Sequence, residues 1–481
     1  MAYLHRIDTE ELDDQVVVSQ DAEAGLQIVV GVAPVNLAKD PDAVVNTPVV
    51  CATFAEAKEK LGFSSDYGNF TICQSMDASF KRFGVSPVIF INVLDPAKHM
   101  KAISPVTASV LNSQIKIEQT GILLSSVVVK NGDGALSVGA DYTLDFDDNG
   151  YLEINFVNTA DATSINVTAN AIDPSVITED DIIGGVNTET GAETGLEVIR
   201  QVYPKTGYVG GQLIVPKWSA HAKVAQVMET KIHDVNGVFN LTAIIDVDAT
   251  KYTKYTSLST VKSDMGLTDR DCWPVWPKIK IGSSVYDYSA VWAAHAAYTD
   301  VQNGDIPYKS PSNKDLGASA AVLADGTEVL LDYEQAQTVN SYGVVTAIND
   351  QGWKSFGNET AAFPADTATK DRFIAVRRMM NWYRNRFILT YKNKVDEPIN
   401  RRLIESIVDA ENQYLNGLAA SGYIPSGCSI AFNEAENPIE NILAGEIVFD
   451  CSIAFWTPAE HITEKIRFNP TLIQNALSEA A

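Results

Sequence analysis

The sequence predicts a multidomain α/β protein in which α/β core domains are interrupted by an inserted all-β, sandwich-like module and closed by a C-terminal α+β domain. Three observations predict it. The chain has 481 residues, room for about three domains of ordinary size. Strand-like and helix-like segments alternate on both sides of residues 101–190, the rhythm of right-handed crossovers in a mainly parallel sheet. Residues 131–199 carry fourteen Asp or Glu and no Lys, Arg or His, and short runs there alternate apolar and polar residues as half-buried strands do.

An acidic, irregular stretch over 1–24 reads as an N-terminal arm. Residues 25–100 form a small α/β domain, with strands at LQIVVGVAPVN (26–36), PVVCATF (48–54) and PVIFINVLD (87–95) and helices between them. The outer β module, 101–190, contains YTLDF (142–146), YLEINF (151–156) and SINVTAN (164–170), with Asn149-Gly150 as a hairpin turn. Residues 191–365 form an α/β core domain. Its strands are GQLIVP (211–216), FNLTAIIDV (239–247) and WPVWPKIKI, and its helices include one bearing Ala222, Ala225, Met228 and Ile232 and another at YDYSAVWAAHAAYTD (286–300). The inner domain, 366–481, is the most strongly patterned. Phe373, Val376, Met380, Tyr383 and Phe387 mark one helix face. Pro398 suits the first turn of a second helix with Leu403, Ile407, Ala410, Tyr414 and Leu418 on its face, and Gly422 stops it. Ile447, Phe449, Cys451, Ile453 and Phe455 share one side of a strand, and a final strand is expected over 461–468.

Composition excludes several function classes. With 61 acids against 36 bases, the net charge is −25, so DNA and anionic membranes would repel the protein. No apolar run reaches the ~20 residues of a membrane span, and MAYLHRIDTEELDD lacks the features of a secretory leader. Five cysteines (51, 73, 272, 428 and 451), odd in number and without a C-x-x-C pair, read as reduced, mostly buried thiols of a protein folded in a cytoplasm.

Chemical motifs are scarce. DFDDNG (145–150) begins like a calcium loop, but Phe156 stands where the bidentate Glu belongs, so it reads as a hairpin turn. There is no P-loop, G-x-G-x-x-G, G-x-S-x-G or H-E-x-x-H. His295, within WAAHAAY, reads as a packed histidine, and Cys272 as a buried thiol without an activating partner. No catalytic residue, metal or cofactor is expected. One charge feature stands out: residues 370–402 hold ten Lys or Arg against three acids. Arg372, Arg377, Arg378, Arg384 and Arg386 lie off the apolar stripe of their helix and are expected to face outward together, as a docking surface for an acidic partner.

Taken in order, several segments resemble the tail sheath proteins of contractile phage tails and related injection machines. They are VVGVAPVN (29–36) followed by TFAEAKEKLGF (53–63), INDQGWKSFGNET (348–360), VRRMMNWYRNRF (376–387), DEPINRRLIESI (396–407) and LAASGYIPSG (418–427). The resemblance covers most of the chain and is densest after residue 340.

It implies a structural machine part with no substrate. Such subunits form hexameric rings stacked helically around an inner tube, meet a baseplate and a tail terminator, and contract to drive the tube through a cell envelope. The particle is a virion tail or tail-like device assembled in the bacterial host cytoplasm. Terminal arms add strands to neighbouring subunits, which makes 1–24 and the strand bearing Ile447, Phe449, Cys451, Ile453 and Phe455 the inter-subunit candidates. Arg372, Arg377, Arg378, Arg384, Arg386, Lys392, Lys394, Arg401 and Arg402 become tube-facing candidates, with the acidic β module outside. Nucleic acid and membrane insertion have no part in it. Two alternatives are an α/β enzyme with an accessory β domain, which needs a convergent polar pocket, and an adhesin that binds through its β module.

Overall fold

The computed structural model describes residues 22–157 and 164–478. All but the last three residues of the expected N-terminal arm lie outside them. At the centre is a six-stranded sheet made of β1 (Gln27–Gly31), β2 (Pro48–Cys51), β3 (Val88–Asn92), β4 (Gln212–Ile214), β5 (Thr242–Asp246) and β6 (Cys272–Val275). The strands stand in the order β6–β5–β4–β1–β3–β2, all parallel except β2, which runs antiparallel to β3 at one edge. The segments 25–100 and 191–365, expected as two domains, therefore share one sheet. Alternation reveals that strands exist, but parallel pairing joins strands far apart in the chain, and local pattern does not name their neighbours. WPVWPKIKI is likewise two strands: β6, and Lys278–Ile281, which pairs in a different, three-stranded sheet.

Buried on both faces, the central strands read as apolar runs. One face is covered by α1 (Tyr288–Val301), whose alanines at 290, 293, 294 and 296 are fully buried and let it approach closely. Gln212 Nε2 donates to Ala293 O at 3.3 Å, and Trp273 packs on Trp292 with ring centroids 5.0 Å apart. The start of α1 is held from outside the helix. Asp246, at the end of β5, accepts the Ser289 N–H at 2.8 Å on Oδ1, and the hydroxyls of Ser289 and Ser219 at 2.6 and 2.9 Å on Oδ2.

The strand order reverses between β1 and β4, where doubly wound sheets usually bind ligands outside the carboxyl ends. Here protein fills that crevice. Thr71 Oγ1 accepts the Val32 N–H at 3.1 Å, Ile72 N–H donates to Val32 O at 3.1 Å, and Lys217 Nζ donates to Gly68 O at 2.7 Å. Gly31 is required by this closeness, because a Cβ there would lie 2.4 Å from Thr71 Oγ1.

Residues 100–172 build a separate core around Ile115, Tyr142, Ile154, Ile165 and Val167. Gln114–Ile117, Leu152–Phe156 and Tyr142–Phe146 form a three-stranded antiparallel sheet, and Val106–Ala108, Ile165–Thr168, Val128–Asn131 and Gly134–Ala135 a four-stranded one. The Asn149-Gly150 turn joins two paired strands, with Phe146 opposite Leu152. Asp147 is occupied in shaping it: Oδ1 accepts the N–H groups of Asn149 and Tyr151 at 2.8 Å each, and Lys116 Nζ donates to Oδ2 at 2.5 Å.

The C-terminal region packs α2 (Ile374–Tyr391) and α3 (Arg401–Ala420) with a small antiparallel sheet of β7 (Ser429–Ala431) and β8 (Asp450–Ser452). α3 begins later than expected, because Asn400 caps it by accepting the Leu403 N–H at 2.9 Å and Pro398 stays outside. The strand expected over 461–468 finds no partner among the described residues and is exposed chain, followed by a helix at Thr471–Ser478.

Asp246 gives the fold a pH dependence. Burial first, then the charge of Asp287, push its carboxyl up to about 7, with the Ser289 bonds and Lys278 opposing. An unfolded aspartate releases its proton near 4. Between those values the folded state binds more protons, so stability falls as pH rises from about 4 to about 7. Asp246→Asn, which keeps an acceptor for the Ser289 N–H, should be more stable than the parent at pH 8 by about 1–2 kcal/mol. In thermal unfolding the gap should close towards pH 4.

Candidate assembly surfaces

The basic cluster at 370–402 is not one outward face. α2 carries the expected apolar stripe, yet its opposite side is buried as well, and among the basic residues of this helix only Arg384 is exposed. Arg377, Arg378 and Arg386 are each about 2 % exposed, which corrects the expectation that they face outward. Each finds a carboxylate on a different element. Arg377 Nε and Nη2 donate to the two oxygens of Asp271 at 2.8 and 3.0 Å, just ahead of β6. Arg378 Nη1 and Nη2 reach Asp300, in the last turn of α1, at 3.0 and 2.5 Å. Arg386 Nη1 donates to both oxygens of Glu411 on α3 at 2.6 and 2.7 Å, while its guanidinium lies 3.3 Å from the Tyr414 ring centroid. Tyr391 O–H adds a 2.9 Å bond to Glu411, and burial with that nearby charge raises its pKa.

Asp271 also takes part in the one grouping of three metal-ligand-type side chains among the described residues, with His233 and Asp269. It is a charge network. His233 Nε2 lies 2.7 Å from Asp269 Oδ2, a contact that raises the histidine pKa. Both Asp271 oxygens already serve Arg377, and Arg270 lies 4.0 Å away. A further cation there would meet two guanidinium groups.

The remaining basic residues lie differently. Arg372 is half-buried and paired with Glu359 and Glu460. Lys392 donates to Tyr203 O–H at 2.7 Å, and Arg401 pairs with Glu405 one turn on. Arg384 and Arg402 are exposed and Lys394 half-buried. Arg384, Lys392, Lys394 and Arg402 have no ion pair among the described residues.

Of the strand expected over 445–458, only Asp450–Ser452 pairs, although the alternation of burial extends on both sides of it. Ile447, Phe449, Cys451, Ile453 and Phe455 are half-buried while the residues between them are exposed. Their side chains cover the subunit's own core, and Tyr383 O–H meets Cys451 Sγ at 3.2 Å. What β7 and β8 leave open is backbone, since among the described residues each pairs only with the other. Beyond them the chain is exposed from Ala459 to Leu477, including Ile462 at 87 %, Ile466 at 83 % and Phe468 at 81 %. Sequence reasoning missed the groups that fix the root of this segment, Trp456, Glu460 and Asn358. No local motif marks them.

No protein-family profile matches the chain. It is 28% identical over 484 residues to the tail sheath protein of Burkholderia phage BcepMu, covering 96% of each protein. Over nearly its whole length the chain is similar to a contractile tail sheath protein. Its fold matches chains in the baseplate of the anti-feeding prophage in its contracted state (TM-score 0.60, 14% identity, 98% of this chain and 99% of that one). It also matches the contracted PVC sheath of an extracellular contractile injection system (TM-score 0.58, 13% identity, 98% and 99%). Neither the enzyme nor the adhesin alternative finds support in these comparisons, and no described helix is long and apolar enough to cross a membrane.

Buried and exposed arginines of α2 should behave oppositely. Arg378→Ala would strand Asp300 as a buried, unpaired carboxylate at a cost of about 3–5 kcal/mol. Arg384→Glu should change stability by less than about 0.5 kcal/mol. Denaturant unfolding of the two variants measures the contrast.

Proposed function

We infer that the protein is a structural subunit of a contractile tail sheath, polymerising as stacked rings around an inner tube and contracting to drive that tube through a cell envelope. The observation that carries the finer part is the exposed C-terminal segment. Ile462, Ile466 and Phe468 alternate with polar residues, as a half-buried strand requires, yet no described residue covers them. An isolated two-stranded sheet with open edges stands beside the place where this segment leaves the body. Open edges are templates for strand addition, and a strand from another copy completes both parts through main-chain hydrogen bonds.

The N-terminal arm over 1–24 is assigned the same linking role. Arg384, Lys392, Lys394, Arg401 and Arg402 are the tube-facing candidates that stay accessible or carry only exposed partners. Contacts of this kind are weak and screened by salt, which suits a surface that must let go on contraction. The acidic module at 101–190 faces outward, and the polymer ends meet a baseplate and a terminator. Its place is a phage tail or tail-like particle, assembled in the host cytoplasm.

Negative-stain electron microscopy of the concentrated protein should show long, hollow, helically striated cylinders. Deleting 461–481 should leave the unfolding temperature unchanged and abolish the cylinders; cylinders of normal length would refute the linking role. Reversing the charges of Arg384, Lys394 and Arg402 together should leave self-assembly intact and lower the yield of sheath on purified tubes by about tenfold at low salt.

A further inference from the structure

We propose that Arg372 and Glu460 form a clamp that fixes the direction in which the C-terminal arm leaves the subunit, making Arg372 a positioning residue for assembly. The inference rests on the sheath reading, because it assigns the arm a target. Two points hold the root of the arm. Trp456 Nε1 donates to Gly422 O at 3.0 Å, at the stop of α3. Four residues on, Glu460 Oε2 accepts from Arg372 Nη2 at 2.9 Å and Oε1 from Asn358 Nδ2 at 3.2 Å. From His461 to Asn469 the side chains are exposed and the hydrogen bonds recorded stay within the arm. Between Trp456 and Asn469, Glu460 is thus the last residue bonded to the described body.

Arg372 is oriented before the arm arrives. Its Nε donates to both oxygens of Glu359 at 2.9 and 2.8 Å, and Nη2 reaches Oε1 at 2.5 Å. Its guanidinium is flanked by the rings of Phe363 and Phe373, at 4.6 and 4.7 Å from their centroids. Glu359 is buried, so its pairing alone neutralises the cation. The bond from Nη2 to Glu460 is therefore not needed for charge balance in the body, and its partner lies on the arm. Only a planar, many-donor group can hold two carboxylates in fixed directions; an ammonium would hold them as a mobile point charge.

The leverage lies in the length beyond the clamp. Nine extended residues span up to about 30 Å, so small play at residue 460 becomes a large displacement at Phe468. Restricting it raises the effective concentration of the arm at a neighbouring sheet edge without adding any contact to that neighbour.

The test places spin labels at Glu334→Cys and Ile466→Cys in the full chain, with Cys428→Ser and Cys451→Ser removing the half-buried thiols. Distances are measured below the polymerising concentration. The parent should give a narrow distribution, Glu460→Ala one at least about twofold broader, and Glu460→Asp one close to the parent. Arg372→Lys, which keeps the charge beside Glu359, should broaden it too. In unlabelled protein, Glu460→Ala should raise the critical concentration for polymerisation about tenfold at unchanged unfolding temperature. Equal distance widths for parent and Glu460→Ala overturn the clamp, and so does a broadened distribution with an unaltered critical concentration. If the parent forms no polymer at any concentration, the sheath reading fails instead, and the distance measurement still decides whether the clamp exists.

Discussion

Three buried guanidinium–carboxylate pairs along one helix hold the rest of the structure in place. Arg377, Arg378 and Arg386 occupy two and a half turns of α2, and their carboxylates come from the approach to β6, the end of α1 and the middle of α3. The central sheet, the helix covering it and the C-terminal helix pair are therefore all tied to α2. Each charge is satisfied only when all these elements are in position, so the pairs act mainly to select one arrangement. A helix of leucines could pack in several rotations at similar cost, whereas a buried guanidinium displaced from its carboxylate costs several kcal/mol.

The sequence made regular elements legible and long-range partners not. The apolar run of β1, the hairpin around Gly150 and the face of α3 with Leu403, Ile407 and Leu418 all follow from local periodicity. The arginines of α2 were misassigned for a physical reason. A helical stripe shows which residues are apolar, but a cation off that stripe is exposed or buried according to carboxylates 106, 78 and 25 residues away. The exposed arm is the reverse case. Its alternation was legible as a strand, but no strand among the described residues pairs with it. Joining the strands of 25–100 and 191–365 into one sheet was hidden by the same limit, because the pairing crosses more than a hundred residues of inserted chain.

Charge follows from this. Four of the ten bases in 370–402 are consumed by carboxylates in or near the interior, so the surface there is far less positive than its composition suggests. Copies of such an acidic chain repel one another over their net charge, and salt screens that repulsion.

The filled crevice at the strand-order reversal has a mechanical meaning. In many doubly wound sheets that gap is where two halves open and close around a ligand. With Gly68 to Ile72 bonded across it, the six strands become an undivided plate, and close-packed interiors of this kind yield little under compression. A displacement imposed on the subunit is then passed on almost whole. The β module is joined to that plate by two crossings, Met100–Ala102 and Asn170–Ile172, which run side by side as an antiparallel pair, so the joint resists bending more than two separate strands would.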